Sequence, residues 1–260
     1  MKLPMITKLV AAALLVPGLA WAQSQGISKD QITLGSIQDL SGPLAGFGKQ
    51  LRMGMQLRVD EINEQGGING RKINLKFEDS GYDPKRAVLA AQKLVNQDKI
   101  FAMVGHIGTA QNVATFPVLF DKNVISFFPV TAAREMYEPH NRLKYSFAAT
   151  YYDQVRLGAP KLYKEKGAKK ACAIYQDDEF GLEVLRGAEA GLKSIGVDLA
   201  EKTSFKRAAT DFSSQVARMK SAGCDFVVLG TIIRETIGTI GESRKTGFNP
   251  TFLGSSAAYT

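Results

Sequence analysis

Cysteine and histidine are scarce in this sequence of 260 residues, which contains two of each. Two cysteines are too few for the disulfide framework of a small secreted domain. Cys172 and Cys224 each begin an apolar, strand-like run, and we therefore expect two buried free thiols. A disulfide stays open as the alternative, because it requires the two Cα atoms to lie within about 7 Å of each other.

The sequence also lacks the motifs of common enzyme classes. It contains no Gly-x-Ser-x-Gly elbow, no Gly-x-Gly-x-x-Gly after the first predicted strand and no phosphate-binding loop that ends in Gly-Lys-Ser or Gly-Lys-Thr. His106 and His140 have no metal-ligand spacing, and we expect His106 to be a hydrogen-bonded loop residue. No catalytic constellation can be assembled, so we expect a protein that is not an enzyme and that uses no cofactor or metal.

A large excess of charge of one sign is missing as well. The formal net charge is +8, and the basic residues alternate with acidic ones, as in residues 161–170. Such a pattern is typical of a solvated helix face and not of a basic stripe for nucleic acid. We therefore expect no nucleic-acid partner.

A continuous apolar run occurs only near the start of the chain. Residues 1–22 carry two lysines, an apolar stretch at 9–20 and then Ala-Trp-Ala at 20–22. This arrangement is typical of a secretory signal peptide, and the stretch is too short to cross a hydrocarbon core of about 30 Å. We expect cleavage after Ala22 and a free periplasmic protein, because no cysteine for a lipid anchor follows.

Short strand-like runs alternate with helical patterns over the remaining sequence. The predicted strands are 31–37, 72–78, 100–104, 124–128, 171–175, 197–203, 226–230 and 251–253, and the predicted helices are 48–64, 84–96, 109–121, 153–166, 180–195, 211–222 and 234–246. This alternation predicts an α/β fold with two doubly wound parallel-sheet lobes. We place lobe 1 at 23–148 and lobe 2 at 149–260, and we expect a C-terminal part to be missing because the chain stops directly after a strand.

Four segments carry a family resemblance: 40–48 (LSGPLAGFG), 60–70 (DEINEQGGING), 78–84 (EDSGYDP) and 175–181 (YQDDEFG). Together they resemble the branched-chain amino-acid-binding family of type I periplasmic proteins, the solute-binding components of ABC transporters. The resemblance implies two lobes joined by three crossovers, with a small ligand in the cleft between them. It also implies an inner-membrane ABC permease as partner, and we expect a monomer.

Two loops are the candidates for holding the ligand. The stretch 105–110 lies between a strand and a helix, where small residues and free helix-terminal amides suit a carboxylate. The resemblance implies that Thr109, beside Gly108, binds the ligand carboxylate; a simple N-cap role for Thr109 is the alternative. The second loop contains Val130, Thr131 and Ala132, and the family's hydroxyl position falls on Ala132, one residue after Thr131.

Aromatic residues at three further matched positions are expected to form apolar walls. They are Phe47, Tyr152 (or its neighbour Tyr151) and Phe180. Rings offer a large contact area at a small entropic cost, although a role in the core is the alternative for each of them.

The sequence departs from the amino-acid-binding pattern at two positions. Ser256 stands where such members place an acid beside the ligand's ammonium, and Ile232 replaces a tyrosine. A buried ammonium without a carboxylate costs several kcal/mol. The ligand is therefore expected to be a carboxylate, amide or aromatic acid without a free α-amino group, unless Asp153, Asp177 or a residue beyond Thr260 supplies the charge.

The function that follows from the resemblance is capture of a small carboxylate-bearing ligand for an ABC importer, with a branched-chain amino acid or a related amide or aromatic acid as the ligand class. A ligand-sensing module of a signalling system is the alternative, because the same closure of two lobes would serve it.

Overall fold

Strands and helices alternate along residues 24–259, the part of the chain that the computed structural model describes. The predicted signal peptide lies outside these residues. The strands are β1 (Gln31–Gln38), β2 (Lys72–Asp79), β3 (Ala102–Val104), β4 (Ile125–Phe127), β5 (Lys144–Tyr145), β6 (Ala171–Gln176), β7 (Leu199–Phe205), β8 (Phe226–Gly230) and β9 (Thr251–Gly254). The helices are α1 (Ala45–Glu64), α2 (Pro84–Asn96), α3 (Thr109–Asp121), α4 (Tyr151–Glu165), α5 (Glu179–Lys193), α6 (Ser213–Ser221) and α7 (Ile233–Lys245).

The strands form two separate sheets. One has five strands in the order β2-β1-β3-β4-β5, and the other has four in the order β7-β6-β8-β9. Every neighbouring pair within them is parallel. The predicted fold class, an α/β protein with two parallel sheets, is confirmed. We use lobe 1 for the half with the five-stranded sheet and lobe 2 for the half with the four-stranded sheet.

Local sequence signals explain where several elements begin. Asp83 caps α2 by accepting a hydrogen bond from the Arg86 amide at 2.9 Å, and Pro84 occupies the first helical position. Strand β7 begins two residues later than predicted. Gly196, with φ +76°, and Val197 close the end of α5 instead, since the Val197 amide donates to the Leu192 carbonyl.

Strand β5 is absent from the predicted set. It contains only Lys144 and Tyr145 and pairs with β4 at the edge of the first sheet. Two residues are too few to show an alternating pattern, so only the pairing partner identifies it.

The expectation of two free thiols is wrong. Cys172 and Cys224 form a disulfide, with Cα atoms 5.9 Å apart. Cys172 lies near the start of β6 and Cys224 lies in the turn before β8, and these two strands are hydrogen-bonded neighbours. The pairing of the sheet therefore brings together two residues that are 52 positions apart in the sequence.

The core lies on the faces of the two sheets, beneath the helices. Buried apolar side chains from α2, α3, α4 and α5 pack on β1, β3, β6 and β8, and a second cluster surrounds the disulfide. Among residues 24–259 no helix has the length and hydropathy needed to cross a bilayer.

Candidate functional site

A cavity of about 390 Å³ lies between the two lobes, and loops from both of them line it. This location agrees with the general rule that open α/β sheets bind ligands beyond the carboxyl ends of their strands. The lining residues are Leu44, Phe47, Tyr82, Ile107, Gly108, Thr109, Val130, Thr131, Ala132, Phe147, Ala148, Ala149, Tyr151, Gln154, Phe180, Ile232, Ile233, Ser256, Ala257 and Tyr259.

The floor of the cavity is the N-terminus of α3. Gly108, with φ +95°, is the N-cap residue and makes no side-chain capping bond, so Thr109 occupies the first helical position. The alternative of Thr109 as an N-cap is therefore wrong. The Thr109 hydroxyl instead shares a hydrogen bond with the Thr131 hydroxyl, with the oxygens 2.6 Å apart. First-turn amides have no partner within their own helix and carry partial positive charge, which suits an anion at this floor.

The two candidate loops are held side by side by backbone hydrogen bonds. The Gly108 amide donates to the Val130 carbonyl, and the Val130 amide donates to the His106 carbonyl. The Ala132 carbonyl accepts from the Tyr151 amide at 2.8 Å. Thr131, and not position 132, thus brings a hydroxyl beside Thr109.

Aromatic rings from both lobes form the walls. Phe47 lies on the lobe 1 side, and Phe180 and Tyr151 meet edge to face with ring centroids 5.1 Å apart. Tyr152 does not line the cavity; its ring packs against the Arg134 guanidinium at 4.1 Å and lines a different pocket. Of the two adjacent tyrosines considered from the sequence, Tyr151 is therefore the one on the cavity, because successive residues of α4 point about 100° apart around the helix axis.

The structure places the other predicted site residues on this one cavity. They are Phe47, Gly108, Thr109, Val130, Thr131, Ala132, Phe180, Ile232 and Ser256. Sequence reasoning missed several neighbours, among them Tyr82, Phe147, Gln154 and Tyr259. Tyr82 lies inside the 78–84 segment of the resemblance, which is a signal that could have identified it.

Tyr82 also connects the two lobes. Its ring is buried and lies 6.0 Å from the guanidinium of Arg207 in lobe 2. Burial raises the pKa of Tyr82 above its ordinary value, and the nearby carboxylate of Asp178 raises it further. The phenol therefore stays protonated and remains a hydrogen-bond donor at the cavity.

His106 does not line the cavity. It is fully buried, and neither ring nitrogen has a hydrogen-bond partner among the described residues. His106 is a hydrogen-bonded loop residue, as expected, but through its backbone carbonyl, which accepts from the Val130 amide and the Asn112 side chain, and not through its ring. Burial lowers the pKa of His106 to about 3. Residues 24–259 contain no group of His, Cys, Asp or Glu side chains that could hold a metal ion.

The part of the cavity lining that the described residues form is uncharged, since it contains no Asp, Glu, Lys, Arg or His. Asp153, one of the two acids named as alternative sources of charge, bonds to the Thr150 hydroxyl and to Arg156. Asp177, the other, pairs with Lys206 at 3.0 Å. Neither of them lines the cavity.

The family model described as periplasmic binding protein matches residues 31–260 of the chain. The chain belongs to the periplasmic binding protein family. The Leu/Ile/Val/Thr-binding protein of Salmonella typhimurium is 28% identical over 241 residues, which are 93% of this chain and 66% of that protein. The Leu/Ile/Val-binding protein of Escherichia coli K12 is 27% identical, with the same two shares covered.

Solved structures of this family share the fold. A fatty acid ABC transporter substrate-binding protein from Thermomonospora curvata superposes with a TM-score of 0.83 at 25% identity, over 92% of this chain and 60% of that one. A solute-binding protein from R. palustris in complex with 4-hydroxybenzoate has a TM-score of 0.78 at 22% identity, over 89% of this chain and 63% of that one. This periplasmic binding protein thus spans about two thirds of its curated relatives and less of the solved structures. The names of these four relatives all describe binding proteins.

Proposed function

We propose that this protein is the solute-binding component of an ABC importer and captures a small carboxylate-bearing ligand in the cavity between its lobes. The observation that carries the proposal is the cavity floor, where the Thr109–Thr131 hydroxyl pair lies at the N-terminus of α3. Hydroxyls and helix-terminal amides are donors that a carboxylate accepts. The partner is an inner-membrane permease, and residues 1–22 direct export to the periplasm.

Closure of the two lobes over the ligand is the mechanism that follows. Lobe 1 supplies the floor and Phe47, whereas lobe 2 supplies Phe180, Ile232 and Ser256. A ligand stabilises the closed form because only that form contacts it from both sides. The permease then distinguishes the closed from the open shape.

The test is isothermal titration of the full-length protein with a panel of amino acids, amides and carboxylic acids. We expect Thr109→Val to weaken binding of the active compound by about 10- to 100-fold, because a hydrogen bond to a charged group contributes about 1.5–3 kcal/mol. Thr33→Val, at a hydroxyl on β1 outside the cavity, is the matched control. Unchanged affinity in Thr109→Val would contradict the proposed carboxylate site.

A further inference from the structure

We propose that the cavity selects an apolar carboxylic acid without an amino group, and that Ser256 is a residue that determines this selectivity. This inference rests on the proposed solute-binding function and names the chemical class of its ligand. It depends on the charges around the cavity, on the hydrogen bonds that its polar side chains already make, and on the rings of its walls.

An amino acid brings two opposite charges, and the cavity offers a place for one of them. The carboxylate can accept from the first-turn amides of α3 and from the hydroxyls of Thr109 and Thr131. The ammonium needs a carboxylate or several carbonyl acceptors. Among residues 24–259, no carboxylate lines the cavity.

Gln154 does not replace the missing carboxylate. Its side-chain amide donates to the Ala149 carbonyl at 2.7 Å, and its side-chain oxygen accepts from the Ser256 amide at 2.8 Å. Both ends of this polar side chain are therefore occupied: the oxygen holds the segment 254–258 against α4, and the amide nitrogen binds the backbone just before that helix.

Two acids at the N-terminal end of α5, the helix that carries Phe180, are already paired with cations. Asp178 binds Arg207 at 2.8 Å, and its side chain is 6% exposed. Glu183 binds Arg134 at 2.9 Å and is fully buried. Turning either carboxylate toward a ligand would leave a guanidinium without its partner, which is unfavourable in a buried setting.

The body of the ligand is expected to be apolar. Six aromatic rings line the cavity, from Phe47, Tyr82, Phe147, Tyr151, Phe180 and Tyr259. Ile107, Ile232 and Ile233 add aliphatic surface. Such walls favour an aryl or branched alkyl group.

Ser256 is the position at which an acid could be added without disturbing the fold. It begins a short 3-10 helix, Ser256–Ala258, and lines the cavity. The turn is held by backbone amides, since the Ser256 amide donates to Gln154 and the Ala257 amide donates to the Ser255 hydroxyl. The side chain of Ser256 is exposed and is not needed for either bond.

The experiment compares two ligand pairs that differ only in the amino group: 3-phenylpropanoate with L-phenylalanine, and 4-methylpentanoate with L-leucine. Affinities are measured by titration calorimetry on the full-length protein. We expect the acid without an amino group to bind at least about 100-fold more tightly in the better pair, because an unpaired buried ammonium is strongly disfavoured. Ser256→Glu should lower this preference by about tenfold or more, and Ser256→Gln, which has a similar size and no charge, should leave it unchanged.

The outcomes separate the two proposals. Equal or tighter binding of either amino acid by the unaltered protein overturns the inference and leaves the solute-binding function intact. A preference that Ser256→Glu does not reduce overturns the role of Ser256. No binding of any of these four compounds or of the wider solute panel contradicts the proposed function itself, and this inference with it.

Discussion

The ion pair between Arg134 and Glu183 joins the two lobes, and it predicts an asymmetric response to mutation. The guanidinium donates through Nε to Oε1 at 2.9 Å and through Nη2 to Oε2 at 3.1 Å. Glu183 is fully buried, whereas the Arg134 side chain is 28% exposed. The hydrogen bond to Glu183 raises the pKa of Arg134, so the guanidinium stays charged.

The expected loss in the free energy of unfolding depends on which of the two charges the substitution leaves without a partner. Arg134→Met leaves a buried carboxylate without a cation, and we expect a loss of about 3–5 kcal/mol in the free energy of unfolding. Glu183→Leu leaves a guanidinium that already reaches solvent and still stacks on Tyr152. For that variant we expect a loss of about 1–2 kcal/mol.

The assay is urea unfolding of the two single variants and of the Arg134→Met/Glu183→Leu double variant. Because apolar residues of similar size can replace a buried ion pair at little cost, the double variant should be more stable than Arg134→Met alone. Equal losses in the two single variants, or a double variant whose loss equals their sum, would refute the reasoning from burial. The slope of unfolding free energy against urea should stay constant across the set.

Two further predictions concern the disulfide and the buried histidine. Replacing both Cys172 and Cys224 by serine should lower the free energy of unfolding by about 4 kcal/mol, from the entropy of a loop with a sequence separation of 52; a reducing agent should destabilise the unaltered protein and leave the double variant unaffected. Burial holds the pKa of His106 at about 3 in the folded protein, below its ordinary value of 6.5, so His106 contributes stability above pH 6.5 that is lost as the pH falls toward 3. Between pH 6 and pH 4, the free energy of unfolding of the unaltered protein should fall relative to that of His106→Gln by about 1.4 kcal/mol per pH unit. Urea unfolding of both proteins measures this difference. A difference that does not vary with pH would be evidence against the buried, neutral histidine.

Most of the fold could be predicted from the hydrophobic periodicity of the helices and strands and from the turn residues between them. The 3.6-residue and two-residue patterns are local, and so are signals such as the Asp83-Pro84 helix start, which the structure reproduces. The loops around Thr109 and Val130 could be predicted as cavity loops because the carboxyl ends of parallel strands share one edge of a sheet. Strand β5 could not be predicted from the sequence, because two residues are too few to show an alternating hydrophobic pattern.

Side-chain partners were harder to predict than elements. The choice between Tyr151 and Tyr152 depends on the rotation of α4 about its axis, which its packing against α5 sets. The disulfide depends on which strands are neighbours in the second sheet. Whether Asp153 and Asp177 line the cavity depends on how the lobes fold, and the structure pairs them with Arg156 and Lys206 instead.

The amino-acid order of this chain thus specifies its alternating strands and helices, its family and the loops around Thr109 and Thr131, because each depends on residues near one another in the sequence. The uncharged lining of the cavity, the Arg134–Glu183 contact between the lobes and the burial of His106 depend on residues tens of positions apart. Such contacts arise only when the sheets assemble and bring distant segments together, and no local pattern encodes which side chains then meet.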